Sequence, residues 1–311
     1  MSDSGNKIDA LIVGLDPVYL DLVFSGLPEV PKPGQEIFAE DFAILPGGVF
    51  NVAATLARLG VGVGLAADID AGLVGDFVMS KVRDAGIDAS LLRRQEHGGR
   101  AITVSYSLGG ERSFLSFKDP YAEWPELYEL YERTRPKALL CPGFPGIGDR
   151  EEVVEALSRI GRDGRCSIFI DASHNRVTLD EEKVARAVSL ADVFFCNEAE
   201  CLQLTGAESW QEGADRLLAF TGQVVVKLGA EGAAYMSHEE SCIEPAPDVD
   251  VVDTTGAGDC FVAGFVFGML RGMSSRDCLR AAVFQGSSSV RAAGGTTSIM
   301  DAEQLLRALG E

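Results

Sequence analysis

Asp253-Thr254-Thr255-Gly256-Ala257-Gly258-Asp259, running straight into Cys260-Phe261-Val262-Ala263-Gly264-Phe265-Val266-Phe267, is the stretch on which the reading of this chain turns. Val249, Val251 and Val252 ahead of it make a strand-like segment, and the small residues mark a turn into a helix over 260–270. A helix start offers unpaired N–H groups and the positive end of the macrodipole. Glycines there let a phosphate approach the backbone closely. Asp253 and Thr254 alone would read as ordinary capping residues. Asp259 tips the reading, because a second acid beside an anion site is electrostatically costly. A base that takes a proton from a hydroxyl as a phosphoryl group arrives gives that acid a reason.

Upstream, strands and helices alternate. Strands are expected at 139–141, 167–170, 193–196 and 224–226, and helices at 151–160, 184–190, 198–204 and 210–220. This rhythm predicts an α/β fold, a mostly parallel central sheet with helices on both faces. The first half adds a buried strand at 8–13, a helix at 51–59, a strand at 61–67 and a helix at 73–85. It also carries alternating pieces such as Glu36-Ile37-Phe38-Ala39, read as a strand. A hairpin is expected over 100–117, turning at Gly109-Gly110. Helices at 260–270, 275–291 and 301–309 close the chain. One α/β domain over 1–311 is expected, with a small β lid built from about 18–45 and 98–118. Sites in open α/β sheets lie at the carboxyl ends of strands, where a lid would exclude water.

Composition removes other classes. Acids outnumber bases 47 to 27, a net charge of −20, which argues against a nucleic-acid or anionic-membrane partner. Seven scattered cysteines include no CxxC pair and read as buried free thiols rather than disulfides or zinc ligands. Residues 1–7 are polar, and no apolar run is long enough for a bilayer, so a cytoplasmic location is expected. Gly14-Leu15-Asp16-Pro17 after the first strand is not a dinucleotide fingerprint, and no P-loop is present.

Pro46-Gly47-Gly48-Val49-Phe50-Asn51-Val52-Ala53 resembles the amino-terminal signature of ribokinase-like (PfkB-type) carbohydrate kinases, and 253–259 resembles their carboxy-terminal one. Asn197-Glu198-Ala199-Glu200 is similar to the family's N-x-x-E motif, and 226–232 to its nucleotide-binding strand and turn. The four stand in the family's order and span most of the chain. The resemblance implies ATP-dependent phosphorylation of a small sugar or polyol. Asp259 would be the base, and the N–H groups of Gly256, Ala257 and Gly258 the anion hole. Asn197, Lys227, Gly229 and Gly232 would line the nucleotide site, and Glu200 would organise Mg2+ through water. Gly47, Gly48 and Asn51 would meet the acceptor, with Asp16 and Asp21 accepting from its hydroxyls. Spacing to Pro31-Lys32-Pro33-Gly34-Gln35-Glu36 favours Asp21 as the motif acid. A K+ site, which some members carry, would fall on Asp253, Thr255, Ser289, Ala292, Gly294 and Ser298. Members often dimerise through the lid.

The residues themselves keep local alternatives open. Asn51 and the Asn197/Glu200 pair also read as helix caps, Gly229 and Gly232 as a plain turn, and Gly294-Gly295 as a helix end. Asp68-Ile69-Asp70-Ala71-Gly72 lacks the first glycine of the family's G-x-D-x-x-G stretch. Val49-Phe50 stands where ribokinases often carry a Lys-Gly pair, which argues against ribose and against a sugar phosphate. Arg100, Arg112 or Lys118 would be the bases left to bind such a phosphate. A nucleoside kinase would need an aromatic shelf from Phe24, Phe38, Phe50, Phe114 or Phe117. A sugar-binding sensor without catalysis is the remaining alternative, disfavoured by the intact Asp259 and its glycines.

Overall fold

A continuous apolar run, Ala10–Val13, forms β1 inside the larger sheet, all four residues buried, as a strand covered on both faces requires. The structure is a computed structural model that describes residues 7–15, 17–108, 111–120, 124, 126–142, 144, 146–172 and 176–310. After β1 come β2 (Tyr19–Ser25), β3 (Asp41–Gly47), α1 (Val49–Arg58), β4 (Val63–Asp70), α2 (Leu73–Asp84) and β5 (Leu92–Gln95). Next are β6 (Ala101–Leu108), β7 (Glu111–Lys118), α3 (Leu127–Thr134), β8 (Ala138–Leu140), α4 (Glu151–Asp163), β9 (Ser167–Asp171) and α5 (Glu182–Val188). Then follow β10 (Val193–Asn197), α6 (Glu198–Thr205), α7 (Trp210–Leu217), β11 (Gln223–Lys227), β12 (Ala233–Ser237) and β13 (Ser241–Glu244). Three helices end the chain: α8 (Ala257–Leu270), α9 (Ser275–Ser289) and α10 (Ala302–Leu309).

The large sheet has the order β13-β12-β11-β10-β9-β8-β1-β4-β5. Pairing is parallel from β5 through to β11, and antiparallel at β11–β12 and β12–β13. Alternate side chains feed two cores. Ala10 and Ile12 join α1, α2, α8, α9 and α10, whereas Leu11 and Val13 join α3 to α7. Helix α8 is apolar all round because it is sandwiched, with every residue from Cys260 to Gly268 buried. Phe265 meets Phe195 of the sheet edge-on, centroids 5.3 Å apart.

The small sheet has the order β3-β2-β6-β7, with β2–β6 parallel and its outer pairs antiparallel. Its register divides the faces. Tyr19, Asp21, Leu45, Thr103 and Ser116 share one face; Leu22, Phe24, Ile44, Val104, Leu115 and Phe117 share the other.

The structure departs from the pattern reading at three places. Residues 36–39 form no strand: Phe38 is exposed, and pairing begins at Asp41. Val249–Val252 is extended but unpaired as a strand. Val251 and Val252 are exposed, and the Val252 and Asp253 N–H groups donate to the Val290 carbonyl at 2.8 and 3.1 Å. The periodicity also overlooks α3, β5 and the β12–β13 edge. The Gly109-Gly110 turn lies outside the described residues. Among the described residues six cysteines are buried, Cys242 is half-buried, and all seven are free. No helix of the described residues is long and apolar enough to cross a membrane.

Candidate active site

The starts of α1 and α8 meet at Asp259, with the ends of β9 and β11 close enough for Asp171 and Lys227 to act on it. Gly256 caps α8 in the left-handed region, φ +69°, and Asp259 occupies the first turn. A side chain on Gly256 would be strained there, and its Cβ would lie 2.9 Å from Asn51 Nδ2. Asn51 sits inside the first turn of α1, whose cap is Gly48, so it is not a cap itself. Its side chain is buried, and Nδ2 donates to Asp259 Oδ2 at 3.0 Å, joining residues 208 positions apart. The two motifs therefore meet through one charge-assisted hydrogen bond.

Burial pushes the Asp259 carboxyl up to about 6. Asn51 opposes the rise by hydrogen bonding, Asp171 and Asp21 add to it, and Lys227 counters it. At neutral pH the group is ionised yet a far better base than an ordinary carboxylate. The glycine turn is poised for an anion. Among the described residues the Gly256 and Gly258 N–H groups have no partner, and Ala257 N–H makes only a long 3.3 Å bond to the Thr254 carbonyl.

Asp21 lies directly against Gly47: a Cβ on that glycine would fall 1.9 Å from Asp21 Oδ2. Gly48, φ +59°, faces the Tyr19 ring, an aromatic wall that the motif reading missed. Asp16 lies outside the described residues. Of the five candidate phenylalanines, Phe50 is in the core, and Phe24 and Phe117 are on the sheet face opposite Asp21. Phe38 is outside any strand, so Phe114 alone shares the Asp21 face. Arg100 is spent on Asp119, with Nε 2.9 Å from Oδ2 and Nη2 3.0 Å from Oδ1. Lys118 shares the Asp21 face, and the Arg112 side chain lies outside the described residues.

Strands β9, β10 and β11 end at Asp171, Asn197 and Lys227. Asn197 and Glu200 form a capping box: Asn197 Oδ1 accepts from Glu200 N–H and Glu200 Oε2 from Asn197 N–H, both 2.8 Å. The cap reading of this pair is thus what the local geometry shows. Lys227 Nζ donates to Asp171 Oδ1 at 2.7 Å. Asp171 was not singled out by any motif; its place at a strand end was the signal available. Gly229 and Gly232 bracket the turn from β11 to β12; both have positive φ, and Gly232 packs against the Glu244 carbonyl.

Asp253 ties two loops together. Its Oδ1 accepts from Thr255 N–H and its Oδ2 from Gly294 N–H, each at 2.8 Å. Ser298 Oγ donates to the Ser288 and Ser289 carbonyls. Asp253, Thr255, Ser289, Gly294 and Ser298 are thereby drawn together, with Ala292 on the same loop. Helix α9 ends at Ser289 with Val290 as its C-cap, so Gly294-Gly295 is not its terminus. A wider groove of about 420 Å³ between α2 and β5 shares none of these residues; its Arg94 is already paired with Asp76.

Known proteins resemble this chain in sequence and in fold. Aminoimidazole riboside kinase of Salmonella typhimurium is 30% identical over 275 residues, covering 84% of this chain and 86% of that protein. Arabidopsis thaliana ribokinase, solved with ribose and ATP, superposes with a TM-score of 0.81 at 23% identity, covering 98% of this chain and 99% of the other. A Vibrio cholerae fructokinase double mutant, solved with fructose, ADP and potassium, gives a TM-score of 0.76 at 21% identity over 97% and 99%. Residues 10–302 match the family described as pfkB carbohydrate kinases. The chain belongs to that family and is a kinase acting on a sugar or sugar-like substrate.

Proposed function

We propose that this kinase transfers the terminal phosphoryl group of ATP to a hydroxyl of a small sugar or polyol, with Asp259 as general base. The acceptor proton passes to the Asp259 carboxylate, the alcohol oxygen bonds to the γ-phosphorus, and ADP leaves with the bridging oxygen. The Gly256, Ala257 and Gly258 N–H groups receive the developing charge. One observation carries the reading: a carboxylate with a raised pKa, held by Asn51, stands on the first turn of a glycine-capped helix. Asp21, against Gly47, accepts from the acceptor's hydroxyls, and Asp16 extends that set. Lys227, Asn197, Gly229 and Gly232 line the nucleotide site.

Among the described residues no group of three or more His, Cys, Asp or Glu is placed to hold a metal. Glu200 and Asn197, at the end of β10 and the start of α6, would hold Mg2+ through water alongside the nucleotide's own oxygens. When bound, the ion neutralises phosphate charge. Thr255 Oγ1, buried without a partner, fits a K+ site built from Asp253, the Thr255 carbonyl and the 289–298 loop.

The small sheet, about 18–45 and 98–118, acts as the lid, its Asp21 face turned to the acceptor. Its other face is apolar and open to water, with Leu115 72%, Phe117 53%, Phe42 47% and Ile44 43% exposed. A second copy of this chain is the partner we assign to it, giving a homodimer through the lids. A reducing, cytoplasmic setting suits the buried free thiols.

A nucleoside acceptor is the second reading, favoured by the Tyr19 wall and by the aminoimidazole riboside kinase relative. An ADP-coupled assay across pentoses, hexoses, polyols and nucleosides decides between them. Turnover with sugars supports the first reading, turnover with nucleosides alone replaces it, and sugar binding without turnover removes the base assignment.

A further inference from the structure

The reaction above gives Lys227 a nucleotide to meet but leaves its ion pair with Asp171 without a purpose. The side chains are 15% (Lys227) and 20% (Asp171) exposed, so both charges are largely withdrawn from water. Burial of this kind is costly unless the pair is put to use. The strands explain its reach. Phe195 of β10 is opposite Asp171, and Asn197 of β10 is opposite Lys227. The lysine therefore leans across the end of β10 to meet a carboxylate two strands away. Its ammonium also lies 3.4 Å from where a Cβ on Gly258 would stand, beside the helix start that faces the incoming phosphates.

Charge makes this placement consequential. The groups acting on Asp259 are Asp171, Asp21, Lys227 and Asn51, and Lys227 is the cation among them. Glu200 also bears on Lys227. An ammonium here without a holder is free to settle on Asp259, a carboxylate whose charge it already acts on. Pairing with Asp259 would quench the base. Asp171 and Asp259 also line one small cavity of about 20 Å³, walled by Leu140, Phe169, Val49 and Val262, so the two acids compete at close quarters.

Resting on the kinase reading, we propose that Asp171 is a positioning residue: it parks the Lys227 ammonium beside the Gly258 amide and off the base, and yields it to the nucleotide's terminal phosphates when they arrive. The nucleotide's terminal phosphates draw the ammonium from Asp171, which holds it through Oδ1 alone, so the transfer runs with nucleotide binding. Burial works against the Lys227 charge, but Asp171, Glu200 and Cys196 together outweigh it and keep the ammonium charged before nucleotide is present.

The test is steady-state kinetics on the full chain, as KM for ATP, kcat and the acid limb of the kcat/KM profile. Lys227→Met loses a charge-assisted contact to phosphate, so KM for ATP rises by about 10–100-fold. Asp171→Asn removes a negative charge from beside the phosphates, so KM for ATP stays level or falls. Its kcat falls about tenfold as the ammonium settles on the base, and its acid limb moves to lower pH. Asp171→Glu, which keeps the charge, restores kcat. The double variant Lys227→Met/Asp171→Asn, which leaves no lone charge buried, matches the Lys227→Met kcat, because Asp171 acts through the lysine. Asp171→Asn raising KM in step with Lys227→Met, wild-type constants in Asp171→Asn, or additive losses in the double variant would each overturn the proposal. Failure of the wild type to turn over any sugar, polyol or nucleoside would instead remove the kinase assignment on which it rests.

Discussion

Replacing Asp259 by Asn separates catalysis from stability in a single protein. The folded carboxyl titrates at about 6 against an ordinary 3.8, a gap of about two units. At about 1.4 kcal/mol per unit, ionising it in the fold costs about 3 kcal/mol, an upper bound because the side chain is half-buried and keeps some contact with water. The sign follows from proton binding. Between pH 4 and 6 the folded state holds a proton that the unfolded state has lost, so stability from this group falls as pH rises and is gone above the folded value. Asparagine never ionises and can still accept from Asn51. Urea unfolding should therefore show Asp259→Asn more stable than wild type by up to about 3 kcal/mol at pH 8 and by about half that at pH 5. In the ADP-coupled assay the same variant should lose about 10²–10⁴-fold in kcat while sugar and ATP still bind. A variant no more stable than wild type at pH 8 would refute the burial argument. Activity within several-fold of wild type would refute the base.

Other consequences are open to simple assays. The acid limb of kcat/KM should fall near pH 6, and Asn51→Leu, which removes the bond that lowers the Asp259 pKa, should move that limb up by about one unit. Gly256→Ala, forced to φ +69° with its Cβ 2.9 Å from Asn51 Nδ2, should cost about 1–2 kcal/mol in urea unfolding and also lower kcat. Light scattering on the wild type should give twice the chain mass, and Leu115→Glu/Phe117→Glu should halve it; a monomeric wild type would sink the lid interface. Replacing K+ by a bulky organic cation should depress turnover, and indifference to the swap would remove the cation site at Asp253.

Much of this was legible in the sequence because strong periodicities and glycines announce themselves. The alternation from Leu139 to Lys227 produced the parallel strands nearly residue for residue, since Val, Ile and Phe in strands buried on both faces leave continuous runs. The unread parts have physical causes. β13 reads Ser241-Cys242-Ile243-Glu244 and pairs on one side only, so it carries too little apolar signal to stand out. Val249–Val252 misled in the opposite direction: valines suggested a strand where the chain merely crosses the surface and is held by the Val290 carbonyl.

The site divides along the same line. Asp259 and Asn51 could be named from their motifs, but their contact across 208 positions required the sheet to bring α1 and α8 side by side. Asp171 could not be named. A lone aspartate after Ser167-Ile168-Phe169-Ile170 looks like any polar residue ending a strand. Its meaning comes from Lys227, 56 positions later, through a register that sequence periodicity does not specify. The raised Asp259 pKa has the same origin, since burial, Asp171 and Asp21 push it up together and only the fold assembles all three. Chain-local motifs thus single out the candidate groups, and the order of the strands decides how strongly each is tuned.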